Sequence, residues 1–330
     1  LLLIGLVLFV IGTLGGYLAI SIEQLILARL VQAVGGCGGL VLGRAIVRDI
    51  YGRDRSASVI AYMTMAMVVA PMLAPLIGGY LSDWFGWRST MLFTAAAGAV
   101  ALACALPLIH ETNHDPQPLP GIGGVAASYR SLLVVPAFRS YAFQTACSTA
   151  GFFAFLGGGP YLVIEIMDRS PSEYGLYFMM SAAGYMAGNF FSGRNSVRLG
   201  IDRMIGIGVT VSAVATIAML ALAGAGIMHP LAVFLPMTVY ALGNGMSLPN
   251  GLAGAISINP RIAGAASGLS GFLQMGVGAL ASVLAGILVQ QGALPMVAVM
   301  AVAAALAFYF GIGARRSPRG TTVTAEEAAE

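Results

Sequence analysis

The chain has 330 residues, 58% hydrophobic and 9% charged, with a formal net charge of +3 and a mean hydropathy of +0.87. So much apolar surface leaves too little polar cover for a soluble core of this length. The sixteen basic residues are all arginine and are not clustered on one segment, so the net charge says nothing of nucleic acid, and no nucleic-acid partner is expected. Runs of about 20 apolar residues recur from end to end, the pattern of α-helices that cross a bilayer many times. The predicted elements, in chain order, are ten spans at roughly 1–19, 22–48, 56–82, 88–109, 137–165, 173–195, 203–225, 229–256, 262–290 and 292–313.

The first span begins on Leu1 with neither a charged leader nor a cleavage site, so it reads as a membrane helix and not a signal peptide. The chain is expected to start partway through a longer protein.

The second span carries Arg29 inside an apolar run. At 1.5 Å per residue the guanidinium lies about 10 Å below the first interface, where it costs at least ~2.5–3.5 kcal/mol. Such a residue persists where a partner, an aqueous cavity or a function offsets that cost. Arg29, Gln32 and Gly36 fall at i, i+3 and i+7, on one helical face. Arg29 is never deprotonated in practice; it can tune the proton affinity of a carboxylate nearby but cannot carry the proton. Snorkelling to the outer interface, or pairing with Glu23, is the alternative.

The third span places Ala66, Ala70, Ala74 and Gly78 at spacing four, a smooth ridge that lets another helix approach closely. Pro71 and Pro75 each remove a backbone donor and favour a bend. A gating face and plain small-residue packing both fit. Spans 173–195 and 262–290 repeat the ridge, with Gly184, Gly188 and Ser192 in one and Gly264, Gly268 and Gly271 in the other.

Beyond the fourth span, residues 110–136 are polar and proline-broken at first and then carry Tyr129 and Arg130, dividing four spans from six. In the span that follows, Tyr141, Thr145, Ser148 and Phe152 share a face and Gln144 flanks it. Asn244 and Asn250 lie in span 229–256 and Gln274 in span 262–290. Buried amides need partners in lipid, so these residues either line a substrate cavity or hydrogen-bond helix to helix. Met63, Met65, Met67, Met179, Met180 and Met186 would suit an adaptable apolar wall or simply face lipid.

All thirteen acidic residues lie in loops, at span ends or in the tail; none falls at mid-membrane, and Glu165 is the best internal substitute for a titratable coupling group. Cys37, Cys104 and Cys147 read as small apolar packing residues, and His110, His114 and His229 show no metal-ligand spacing. Arginine placement sets orientation. Thirteen (Arg44, Arg48, Arg53, Arg55, Arg130, Arg139, Arg194, Arg198, Arg203, Arg261, Arg315, Arg316 and Arg319) fall on one side, and only Arg88 and Arg169 on the other. The long loop and the C-terminus are therefore cytoplasmic. The domain plan is a partial N-terminal bundle of four helices at 1–109, a cytoplasmic linker at 110–136, a six-helix bundle at 137–314 and a disordered tail at 315–330.

Several segments together resemble the major facilitator superfamily and, within it, the bicyclomycin/chloramphenicol-type (Bcr/CflA) drug:proton antiporters. Arg29-Leu-Val-Gln32-Ala-Val-Gly35-Gly36 is similar to the fourth-helix motif, with Ala33 in place of a glycine. Arg44 to Gly52 is similar to the next cytoplasmic segment, and Ala70-Pro71-Met-Leu-Ala74-Pro75-Leu-Ile-Gly78-Gly79 to the fifth-helix antiporter motif. Phe85-Gly86-Trp87-Arg88, Leu248-Pro249-Asn250 and Gly264 to Met275 extend the match, and Gly193 to Arg203 looks like a degenerate second-half loop motif.

The resemblance implies an all-α polytopic membrane protein of major facilitator fold. Ten of twelve helices (the third to the twelfth) would be visible, and the proton-carrying carboxylate would lie in the first. It implies proton-coupled efflux of small amphipathic drugs or antibiotics by alternating access. Arg29 and Gln32 would serve in coupling, and Ala70, Pro71, Ala74, Pro75, Gly78 and Gly79 in gating. Expected partners are a small-molecule substrate, protons and the lipid bilayer of a bacterial inner membrane. The protein would be monomeric and need no cofactor beyond the proton gradient. The alternative is an importer or exchanger of a sugar or amino acid. The sequence holds no metal cluster, Ser–His pairing or nucleotide loop and no repeated selectivity filter, so neither an enzyme nor a channel is expected.

Overall fold

The computed structural model describes residues 2–108, 122–259 and 262–316, almost all of them helical. The side chains of 51–72 and of several residues between 38 and 49 lie outside the described residues, as do 109–121 (with His110 and His114), 260–261 and 317–330. Ten α-helices follow in order: α1 (Leu2–Leu18), α2 (Ile22–Phe85), α3 (Arg88–Leu108), α4 (Ile122–Val134), α5 (Pro136–Tyr161), α6 (Pro171–Leu199), α7 (Ile201–Gly224), α8 (Pro230–Ser257), α9 (Ala263–Leu288) and α10 (Ala293–Arg316).

These are not the ten predicted spans. Spans 22–48 and 56–82 form the single 64-residue helix α2, about 96 Å long at 1.5 Å per residue. The polar segment between them, Arg48 to Ser56, has no proline and one glycine, Gly52. One glycine costs a helix only about 1 kcal/mol, too little to stop it. The range read as a linker holds α4, whose Leu132 is buried.

Local chemistry sets the helix ends. The Ser21 hydroxyl accepts from Gln24 N at 3.3 Å to cap α2. Ser170 and Glu173 make a reciprocal capping box on α6: Ser170 N donates to Glu173 Oε2, and Glu173 N to Ser170 Oγ, both at 3.2 Å. Pro136 and Pro230 occupy first-turn positions of α5 and α8. Gly86 (φ 79°) and Gly200 (φ 80°) turn the chain out of α2 and α6 in the left-handed conformation that glycine adopts without strain. The end of α5 passes into a π-helical turn at Leu162–Ile166, two residues past Pro160; Glu165 is exposed on this turn.

The chain divides into two compact units, Leu1–Pro118 with Ser170–Leu176, and Leu119–Arg169 with Tyr177–Glu330. In the first, α1 crosses α2 almost backbone to backbone: a Cβ on Gly12 would sit 2.8 Å from Ala28 O, and one on Gly5 2.9 Å from Gly35 O. In the second, α5 is the central helix. Phe138, Ala142, Ile205, Val209, Ala266, Leu269 and Ala307 close its core. The ridge of Gly184 and Gly188 packs tightly on α8, where a Cβ on Gly188 would lie 3.1 Å from Gly245 Cα. Among the described residues, the ridge predicted at Gly264, Gly268 and Gly271 meets no helix that closely; a Cβ on Gly268 would lie 3.5 Å from Tyr129 Oη, and one on Gly264 or Gly271 would have no described neighbour within 4 Å. Among the described residues, six helices are long and apolar enough to cross a membrane.

Candidate functional site

In the first unit Arg29, Gln32 and Thr13 form one ladder. Arg29 Nη1 donates to Gln32 Oε1 at 2.7 Å. Gln32 Nε2 donates to Thr13 Oγ1 at 2.7 Å, and Thr13 Oγ1 donates to Phe9 O at 2.6 Å. Gln32 is 7% exposed and Thr13 1%, while Arg29 stands on the exposed flank of α2 with its guanidinium turned onto the amide. The i, i+3 spacing of Arg29 and Gln32 brings them together as the sequence indicates. Thr13 is the member that sequence reasoning missed. The available signal was a lone hydroxyl in the otherwise apolar stretch between Leu1 and Tyr17.

Of the predicted gating residues, the side chains of Ala70 and Pro71 lie outside the described residues. Ala74 is exposed, Pro75 and Gly78 half-buried, and Gly79 buried. Gly79 and Pro75 meet the first turn of α6. A Cβ on Gly79 would lie 2.5 Å from Pro171 O and 2.8 Å from Ser172 Cα, and one on Gly175 2.5 Å from Pro75 O. One turn beyond Gly79, the Asp83 carboxylate accepts from Ser172 N at 3.0 Å. Here the chain approaches so closely that glycine is required on both helices.

The second unit gathers most of the remaining predicted residues, and gathers them inward. Ser148 O accepts from Tyr240 Oη at 2.9 Å and from Asn244 Nδ2 at 3.1 Å. Ser212 Oγ donates to Tyr240 O at 3.1 Å and stands 3.4 Å from Asn244 Oδ1; with one proton to give, it serves the nearer carbonyl. Gln144 Nε2 donates to Ser148 Oγ at 3.0 Å, and Thr145 Oγ1 to Ala142 O in its own helix. Asn250 Nδ2 donates to Ser192 Oγ at 2.7 Å and Met246 O at 2.8 Å. Tyr141 Oη donates to Asp202 Oδ1 at 2.6 Å, tying α5 to the first turn of α7.

All six of these predicted residues are buried, and their contacts are chiefly helix-to-helix hydrogen bonds. One polar atom among them, Gln144 Oε1, is buried with no hydrogen-bond partner. Phe152 and Gln274 are only half-buried. Phe152 lies 6.4 Å from the rings of Phe153 and Phe178, and Gln274 Oε1 accepts from Thr149 Oγ1 at a long 3.4 Å. Tyr240 and Ser212 belong to the network around Ser148 O and Thr149 pairs with Gln274; none was foreseen, and only their partners' positions distinguish them from ordinary packing residues. Among the described residues no cluster of side chains suits a metal.

The comparisons with known proteins follow the same lines. A family model described as Major Facilitator Superfamily matches residues 1–281. The chain is 27% identical over 310 residues to a bicyclomycin resistance protein homolog of Haemophilus influenzae, covering 91% of this chain and 76% of that one. It is 30% identical over 316 residues to an uncharacterized MFS-type transporter, YdgK, of Bacillus subtilis, covering 93% and 78%. Among solved structures, a bacterial homolog of the human lysosomal transporter Spinster, inward-facing and unoccupied, superposes with a TM-score of 0.71 at 18% identity, over 96% of this chain and 83% of that one; at that identity it supports the fold alone.

Proposed function

The chain belongs to the major facilitator superfamily, and on that premise we propose that it exports small amphipathic drugs or antibiotics in exchange for protons. It is a multi-pass membrane transporter and not an enzyme. Its relative in Haemophilus influenzae is named for bicyclomycin resistance, which supports the choice of drug export over metabolite uptake. The observation that carries the reading is the Arg29–Gln32 pair on an apolar helix. A fixed positive charge there is costly in lipid, and an amide partner that fixes its aim suits a group that biases protonation in a carrier.

Within this proposal Gln144, Phe152 and Gln274 contact substrate, since they keep hydrogen-bonding capacity or exposed ring surface. Tyr141, Thr145, Ser148, Asn244 and Asn250 hold the helices that present them. Pro75, Gly78 and Gly79 form the gating face with α6; Ala70, Pro71 and Ala74 continue it along α2. The protein works as a monomer in a bacterial inner membrane with its C-terminus in the cytoplasm, and needs no cofactor beyond the proton gradient. A bacterial host stripped of its own exporters and expressing this protein should tolerate higher concentrations of chemically diverse lipophilic antibiotics, and a protonophore should abolish the gain. Unchanged tolerance with accumulation of a labelled sugar or amino acid would transfer the assignment to uptake.

A further inference from the structure

We infer that Thr13 is a positioning residue that fixes which way the Gln32 amide faces and, through it, where Arg29 points. The inference rests on the proposed coupling role of Arg29 and extends it to a side chain on a different helix.

A threonine hydroxyl has one proton to donate. Here it goes to Phe9 O, at 2.6 Å. The hydroxyl can then only accept from Gln32, so the amide must present Nε2 to Thr13 and Oε1 to Arg29, as the 2.7 Å distances on both sides have it. The reversed amide would set an NH2 against the guanidinium, donor to donor, and a carbonyl against a hydroxyl whose proton is already committed. Two further observations make the lock stiff. Thr13 and Gln32 are 1% and 7% exposed, so water does not substitute readily for either partner. The neighbouring Gly12 brings α1 within van der Waals contact of the Ala28–Gln32 backbone, leaving the Thr13 hydroxyl little freedom. The titratable or charged groups on the packed helices are Tyr17 on α1, Arg88 and Cys104 on α3, and Glu23 and Cys37 on α2 itself; the other such residues of α2 (Arg44, Arg48, Asp49, Tyr51, Arg53, Asp54, Arg55, Tyr62, Tyr80 and Asp83) begin about 18 Å along the helix from Gln32. Arg88 is engaged by Ala19 O at 2.8 Å. The ladder therefore relies on hydrogen-bond direction for its aim.

The test compares Thr13→Val, which keeps shape and removes the hydroxyl, with Thr13→Ser, which keeps the hydroxyl. Both are read as drug efflux against pH in everted membrane vesicles, with membrane insertion followed in parallel. Thr13→Val should slow efflux about tenfold, as loss of a hydrogen bond in a charged network does, and move the midpoint of the pH profile by about one unit. Thr13→Ser should restore both. The double variant Thr13→Val with Gln32→Leu should behave as Gln32→Leu alone, because both act through one amide. A Thr13→Val profile with an unmoved midpoint, or additive effects in the double variant, overturns the inference. Arg29→Ala run beside them separates the two levels: if it leaves efflux proton-coupled, the parent reading fails; if it abolishes coupling while Thr13→Val does nothing, only the positioning role falls.

Discussion

A guanidinium among apolar neighbours is held by what it touches, and Arg29 donates to the buried amide of Gln32. A hydrogen bond to a charged group contributes about 1.5–3 kcal/mol, comparable with the insertion cost of ~2.5–3.5 kcal/mol. The pair can therefore survive in a membrane helix with little net gain in stability, as expected of a residue retained for its charge. Asn244 has the opposite character: it is buried, and its amide closes a network around Ser148 O. The two substitutions should separate cleanly. Arg29→Ala should abolish proton-coupled efflux while insertion and melting temperature stay near those of the parent. Asn244→Ala should lower stability by about 1–3 kcal/mol through the partners left unpaired, seen as a fall in melting temperature in detergent. An Arg29→Ala protein that exports at the parent rate would remove the charge from the mechanism.

At the scale of elements, small residues decide which helices can move and which cannot. Where α1 meets α2 and where α6 meets α8, glycines bring backbones into contact, and in a bilayer such close packing replaces the hydrophobic drive between helices. The contact of Pro75 and Gly79 with the first turn of α6 is of this kind, reinforced by Asp83 at Ser172 N. That turn groups with the first unit while the rest of α6 belongs to the second. Gly79→Val places a Cβ against Pro171 O and Ser172 Cα. Overpacking of this type costs about 1–3 kcal/mol, and the turn of α6 should lift away. Liposomes carrying Gly79→Val should then leak protons faster than those carrying the parent protein. Unchanged tightness would mean that this face only packs.

For the molecule as a whole, composition and arginine placement govern. The partition of arginines expected from the sequence, thirteen on one side and two on the other, predicts by the charge rule a C-terminus in the cytoplasm. A fluorescent protein fused after Glu330 should light up in the cytoplasm, and a cysteine at Asp168 should react with a maleimide that cannot cross the membrane, added from outside. Labelling of Asp168→Cys only after the cells are broken would invert the topology. The membrane class, most of the helical spans and the Arg29–Gln32 pair were legible in the sequence, because each depends on composition or on spacing within one helix. A different set of features was not. Span 22–48 runs into span 56–82 because helix continuity there depends on a small balance at Gly52 that residue patterns do not resolve. Thr13, Tyr240 and Ser212 join their networks across separations of 19, 92 and 28 residues. Tyr141, a predicted cavity residue, reaches Asp202 across 61 residues. Periodicity shows that a helix has a polar face, but the direction of a hydrogen bond is settled only when a second helix brings a partner within about 3 Å. The sequence by itself therefore determined that this chain spans a membrane many times and carries a fixed charge within an apolar stretch. The tertiary structure decided which side chain aims that charge and which polar residues are spent on holding helices together.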